Sequence, residues 1–167
     1  MDRFVRWVDG LTEAIGRSVS WLVLAMTAVT CLVVVLRYGF SVGSIALQES
    51  VIYLHGLVFM LGIPYALKHD AHVRVDVLYS RMTPRQQAQV NILGHCLFLV
   101  PLASFILYVS WNYTARAWRI FEGSPEVGGI PLVFLLKTLI PVLGALLLLQ
   151  GLAELAKQVK ILRSLRA

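Results

Sequence analysis

The sequence predicts an all-α integral membrane protein: four transmembrane helices preceded by an N-terminal amphipathic interfacial helix, with both termini cytoplasmic. Three observations carry this expectation. The 167 residues are 58% hydrophobic and only 14% charged, against about a quarter charged in an ordinary soluble domain. The mean hydropathy of +0.75 is concentrated in four long runs nearly free of charge, each matching the ~20 residues that cross a hydrocarbon layer as a helix. Lysine and arginine are also unevenly shared between the segments joining those runs. One compact membrane unit accounts for the whole length.

Residues 2–17 come first. Phe4, Trp7, Val8, Leu11 and Ile15 recur at helical spacing, with Asp2, Arg3, Arg6, Asp9, Glu13 and Arg17 around them. This pattern predicts a helix lying in the interface, anchored by Phe4, Trp7 and Leu11. The first span, 18–36, is uncharged and closed by Arg37 and Tyr38. It is too long for a signal-peptide core and no small-residue cleavage site follows it. The second span, 50–67, follows Glu49 and contains His55 and Pro64. The third covers 90–111, and Thr83-Pro84 ahead of it reads as an N-cap with proline at the first helical position. The fourth covers 130–152 and contains Lys137 and Pro141. Helices are preferred to strands because they satisfy their own backbone in lipid and the runs lack polar alternation. The segment "FEGSPEVGGIP" is a glycine- and proline-rich loop.

Orientation follows from the basic residues. Arg3, Arg6 and Arg17 lie in the N-terminal segment, Lys68, Arg74, Arg81 and Arg85 in the 68–89 connector, and Lys157, Lys160, Arg163 and Arg166 in the 153–167 tail. Opposite them stand only Arg37, Arg116 and Arg119. The positive-inside rule places both termini and the 68–89 connector in the cytoplasm. The net charge of +6 therefore reads as a topology signal and contact with membrane lipids. No basic patch with interleaved aromatics points to nucleic acid. Cys31 and Cys96 lie at different depths, so a disulfide is not expected; both read as small buried apolar residues.

Charged groups within membrane spans are functional candidates by default. Arg37, Glu49 and Lys137 all fall toward the outer face. They form either an anion or proton site or, on the favoured reading, a charge-paired cluster in which Glu49 answers Lys137 or Arg37. His55 and His95 raise the question of a b-type haem. Their depths differ by on the order of 15 Å, which argues against one haem between them. The stretch "KHDAHVRVD" gathers His69, Asp70, His72 and Asp76 like ligands of a divalent metal. Arg74 in its midst opposes a cation, so the stretch reads as a polar connector whose Lys68 and His69 complement a helix C-terminus. Signatures of a serine elbow, a P-loop, C-x-x-C and H-E-x-x-H are missing from the sequence. Neither a catalytic residue, a cofactor nor a metal is expected.

The order "LRYGF", "LQES" and "GIPYALKHDAHVRVDVLYSRM", followed by "WRIFEGSPEVGGIPLVFLLKTLIPVLGALLLLQGLAEL", resembles the small membrane (DctQ-like) subunit of tripartite ATP-independent periplasmic (TRAP) transporters. It is most similar to the branch labelled for mannitol and chloroaromatic compounds. The likeness extends over nearly the whole chain. Ala46 departs from it, standing where the family often has tryptophan. The resemblance implies a bacterial inner-membrane protein paired with a large elevator-type subunit and a periplasmic binding protein that delivers an organic acid. Sodium is then expected on the large subunit. Arg37, Glu49, Gly62, His72 and Asp76 match recurrent family positions and are implied to serve assembly. The other readings in view are a membrane anchor of a haem or quinone oxidoreductase and an autonomous small transporter.

Overall fold

The computed structural model describes residues 2–72 and 79–165. Its helices are α1 (Asp2–Gly39), α2 (Ile45–Lys68), α3 (Pro84–Arg119) and α4 (Val133–Ser164), each long and apolar enough to cross a membrane. The chain is a multi-pass membrane protein.

The helix boundaries follow from local chemistry. Ser44 caps α2, its hydroxyl accepting from the Leu47 amide. Thr83 and Gln86 form a reciprocal capping box at the start of α3, with Pro84 just inside. That box satisfies orphan amides where the helix begins, well before its apolar part. At about 1.5 Å per residue, α1, α3 and α4 are each longer than the ~30 Å hydrocarbon layer. All three overshoot at the end of the bundle where the two termini meet, and there α1 and α4 build a polar collar with the end of α2.

α1 differs from the expected break between an interfacial helix and a first span: it is one continuous helix. Its buried positions Val8, Thr12, Gly16 and Val19 lie on one stripe. That stripe faces α2 and α4, because the apolar residues of 2–17 have a protein surface to cover. Phe4 and Trp7 are exposed and Leu11 is half-buried.

α4 sits at the centre and packs on each of the other three helices. A third of its most apolar window is buried, against 6% for the other helices. The core is Ala103, Leu143 and Leu147, with Met60, Ile63 and Leu99 packed on it. Small residues dominate the contacts, as they do where backbones approach closely in membranes. A Cβ on Gly144 would stand 2.9 Å from the Leu107 backbone nitrogen, and one on Gly16 would overlap the Tyr65 ring. Cys31 and Cys96 are exposed free thiols, not buried as their apolar surroundings implied, since a lone four-helix bundle leaves most of its apolar surface outside.

Both prolines within α2 and α4 are buried. Pro141 has no amide to offer Lys137, four residues earlier. The Thr114 hydroxyl of α3 donates to that Lys137 carbonyl at 3.2 Å, so the freed acceptor becomes an interhelical bond. Pro101 follows a π-helical turn, His95–Leu99, whose last bond joins the Val100 amide to the His95 carbonyl. The wider turn accommodates the missing donor.

Candidate functional site

Two polar clusters stand at opposite ends of the bundle. The first is built on Glu49, in the opening turns of α2, and on the loop between α3 and α4. The Ser124 hydroxyl donates to one oxygen of Glu49, and the Ile130 amide donates to the other at 2.6 Å. Within the loop, the Ser124 amide donates to the Ile130 carbonyl at 3.2 Å and Gly129 to the Glu126 carbonyl at 3.0 Å. The Ser124 oxygen also accepts from the Glu126 amide at 3.1 Å. A Cβ on Gly129 would lie 2.8 Å from the Glu49 carboxylate, so the loop can close on Glu49 only with glycine there. Neutral donors thus hold this anion, and among the described residues it has no ion pair.

Lys137 does not reach Glu49. Its ammonium donates to both oxygens of Glu122 at 2.6 Å and lies 4.3 Å from the Tyr113 ring centroid, a cation–π arrangement. Glu122 leaves α3 just as the loop folds back over the first turn of α4, where its own carbonyl accepts from the Phe134 amide. This local partner is closer along the fold than Glu49, and it supersedes the expected pairing. Arg37 is exposed at the end of α1 and makes no ion pair among the described residues. Next to Glu122, Trp118 donates to the Thr138 hydroxyl at 2.8 Å and packs edge-on against Phe134.

The second cluster joins α1, α2 and α4 at the termini. Gln150, fully buried, accepts from the Thr12 hydroxyl at 2.7 Å. Its amide nitrogen donates to Asp9 at 3.0 Å and Glu154 at 2.8 Å. Lys157 donates to the same Asp9 and Glu154 carboxylates. Lys68 donates to Glu13 at 2.6 Å and to the Asp9 carbonyl at 3.1 Å. His69 and Arg17 also engage Glu13. These hydrogen bonds, led by that from Lys68, pull the Glu13 carboxyl down to about 2. For Asp9, partial burial is outweighed by bonds from Gln150 and Lys157, and its pKa is lowered too.

The sequence-based candidates are therefore dispersed. Glu49 and Lys137 sit in neighbouring but separate contacts. Gly62 has nothing within 4 Å of where a Cβ would stand, so no other helix of this chain approaches it closely. His72 is exposed beyond α2, and Asp76 lies outside the described residues. No three metal-ligating side chains converge among the described residues. His55 and His95 are not brought together: His95 bonds the Asn91 carbonyl through Nδ1 near the termini, and His55 is on an outward face of α2. Gln150 and Thr12 were missed. A lone amide in the apolar run "GALLLLQGLAEL" was the available signal, because such a group in a span seeks a partner on another helix.

Fold and clusters define a small multi-pass membrane protein whose two polar clusters hold its own helices and one loop. Residues 26–161 match the family described as tripartite ATP-independent periplasmic transporters, DctQ component, and the chain belongs to that family. It is 25% identical over 128 residues to the C4-dicarboxylate TRAP transporter small permease protein DctQ of Vibrio cholerae serotype O1, covering 74% of this chain and 53% of that protein. The chain thus spans about half the length of this curated relative. No solved structure matches it.

Proposed function

We propose that this chain is the scaffold subunit of a TRAP transporter in the bacterial inner membrane, pairing with a large elevator-type subunit. A periplasmic binding protein delivers an organic acid to that pair for sodium-coupled uptake. The observation that carries the reading is the closure of the polar groups. Glu49, Glu122, Lys137, Asp9, Glu13, Gln150 and Lys157 all bond within the chain. Among the described residues no coherent polar pathway is left for a solute or sodium, whereas the apolar faces of α1, α2 and α3 stay uncovered.

The polar collar lies in the cytoplasm by the positive-inside rule, with Phe4 and Trp7 at the headgroups. The Glu49-held loop then faces the periplasm, where a binding protein arrives. Its cross-bonds suit a docking surface that keeps its shape. Arg37, Gly62, His72 and Asp76 serve assembly on the same reading. Co-expression of this chain with a large TRAP subunit from the same organism tests the pairing: a stable detergent-resistant complex is expected. Separate migration of the two chains, or a redox-active haem protein, overturns it.

A further inference from the structure

The outward face of α2 carries a feature that lipid does not suit. Ile52, His55, Phe59 and Gly62 follow each other at helical spacing on one stripe. Ile52 and Phe59 are more than half exposed and His55 is exposed. His55 is six positions past Glu49, about 9 Å deeper along the axis, and twelve before Leu67, about 18 Å from that end. It therefore lies at hydrocarbon depth. Its ring rests against Phe59 of its own helix, with centroids 6.1 Å apart and nearly parallel, and its nitrogens have no hydrogen-bond partner among the described residues. Ionisable side chains within a membrane face protein or a hydrated cavity and pair there, because acyl chains offer no hydrogen bonds. One to two turns further along, the space above Gly62 is open, room enough for a second helix backbone to approach.

The opposite side of α2 is already taken. Tyr65 packs over Gly16 of α1, and Gly56 touches Leu136 and Leu139 of α4. By contrast, the exposed stripe on α3, Phe98, Leu102 and Phe105, is wholly apolar and matches acyl chains.

We infer that the Ile52–His55–Phe59–Gly62 face of α2 is the seat of a transmembrane helix of the large subunit, which brings a hydrogen-bonding side chain to His55 and its backbone close to Gly62. The inference rests on the scaffold reading above. In the co-expressed complex, a photo-crosslinking phenylalanine analogue placed at Phe59 is expected to form an adduct with the large subunit, and one at Phe105 to label lipid. Gly62→Leu and His55→Leu are expected to lower recovery of the large subunit by roughly tenfold, equivalent to about one decade in affinity. A Cβ at Gly62 meets nothing within 4 Å and His55 stacks on Phe59 of its own helix, so neither change breaks a contact between helices and helix content should be unaltered. If the large subunit co-purifies yet the Phe59 adducts are with lipid or with a second copy of this chain, the α2 seat is wrong and the scaffold reading stands. If no large subunit co-purifies with the unmodified chain, the scaffold reading fails and the seat with it.

Discussion

Lys137 and Glu122 form a bidentate pair, the ammonium 2.6 Å from both carboxylate oxygens, although fifteen residues and a full loop separate them in the chain. The pair closes the loop onto α4, while Glu49 closes the same loop onto α2. Two acids far apart in the chain, brought to one loop, thus have separate duties.

A double-mutant cycle distinguishes them. Glu122→Gln and Lys137→Met should couple by about 1 kcal/mol or more in thermal or denaturant unfolding in detergent. Glu49→Gln and Lys137→Met should add to within about 0.5 kcal/mol, as residues without a shared bond do.

Glu49→Ala removes the acceptor of both Ser124 and Ile130. The loss of both bonds falls on the loop more than on the bundle. Hydrogen exchange at the Ile130 amide should accelerate by about tenfold or more, with α4 amides near Gln150 unchanged. Equal acceleration at both places would contradict a local clamp.

Gln150→Leu tests the collar. The substitution leaves Thr12 without its acceptor and Asp9 without one donor in a buried setting, at a cost of about 1–3 kcal/mol. Thermal unfolding should fall accordingly, whereas Gln158→Leu, on the same helix, should change it by less than about 0.5 kcal/mol.

Acid should loosen the N-terminal part of α1 before the bundle. Glu13 precedes the apolar run that begins at Ser18, and its pKa is depressed from 4.5 to about 2 by Lys68, His69 and Arg17. A lowered folded-state pKa means stability present above about 4.5 and lost as pH falls toward about 2. Fluorescence of Trp7, in a variant lacking the other tryptophans, should report a transition in that window. Glu13→Gln should reduce its pH dependence, leaving the part that Asp9 supplies through its bonds to Gln150 and Lys157.

Much of the fold was legible because lipid imposes a simple rule: charge-free runs of sufficient length become helices. The Thr83-Pro84 start of α3 was legible for an equally local reason, since caps use residues within one turn. Continuity of α1 was not, because Asp9 and Glu13 look like a solvated face until Lys68, Gln150 and Lys157 are brought against them. Those partners lie 55 to 148 positions away, beyond what spacing can reveal. Glu49 stands in the opening turns of α2, and its partners are a hydroxyl and a backbone amide. Neither has a charge signature, and the bond depends on a loop conformation that Gly129 permits. For Lys137, the acid four residues upstream of the loop turn was overlooked in favour of one on another span.

Transport by the reconstituted system tests the account most directly. Proteoliposomes holding the large subunit, this chain and the binding protein should take up the organic acid in response to an inward sodium gradient. Omission of this chain should reduce uptake to background, and this chain alone should transport nothing. Uptake by this chain alone, or undiminished uptake without it, would contradict the scaffold role.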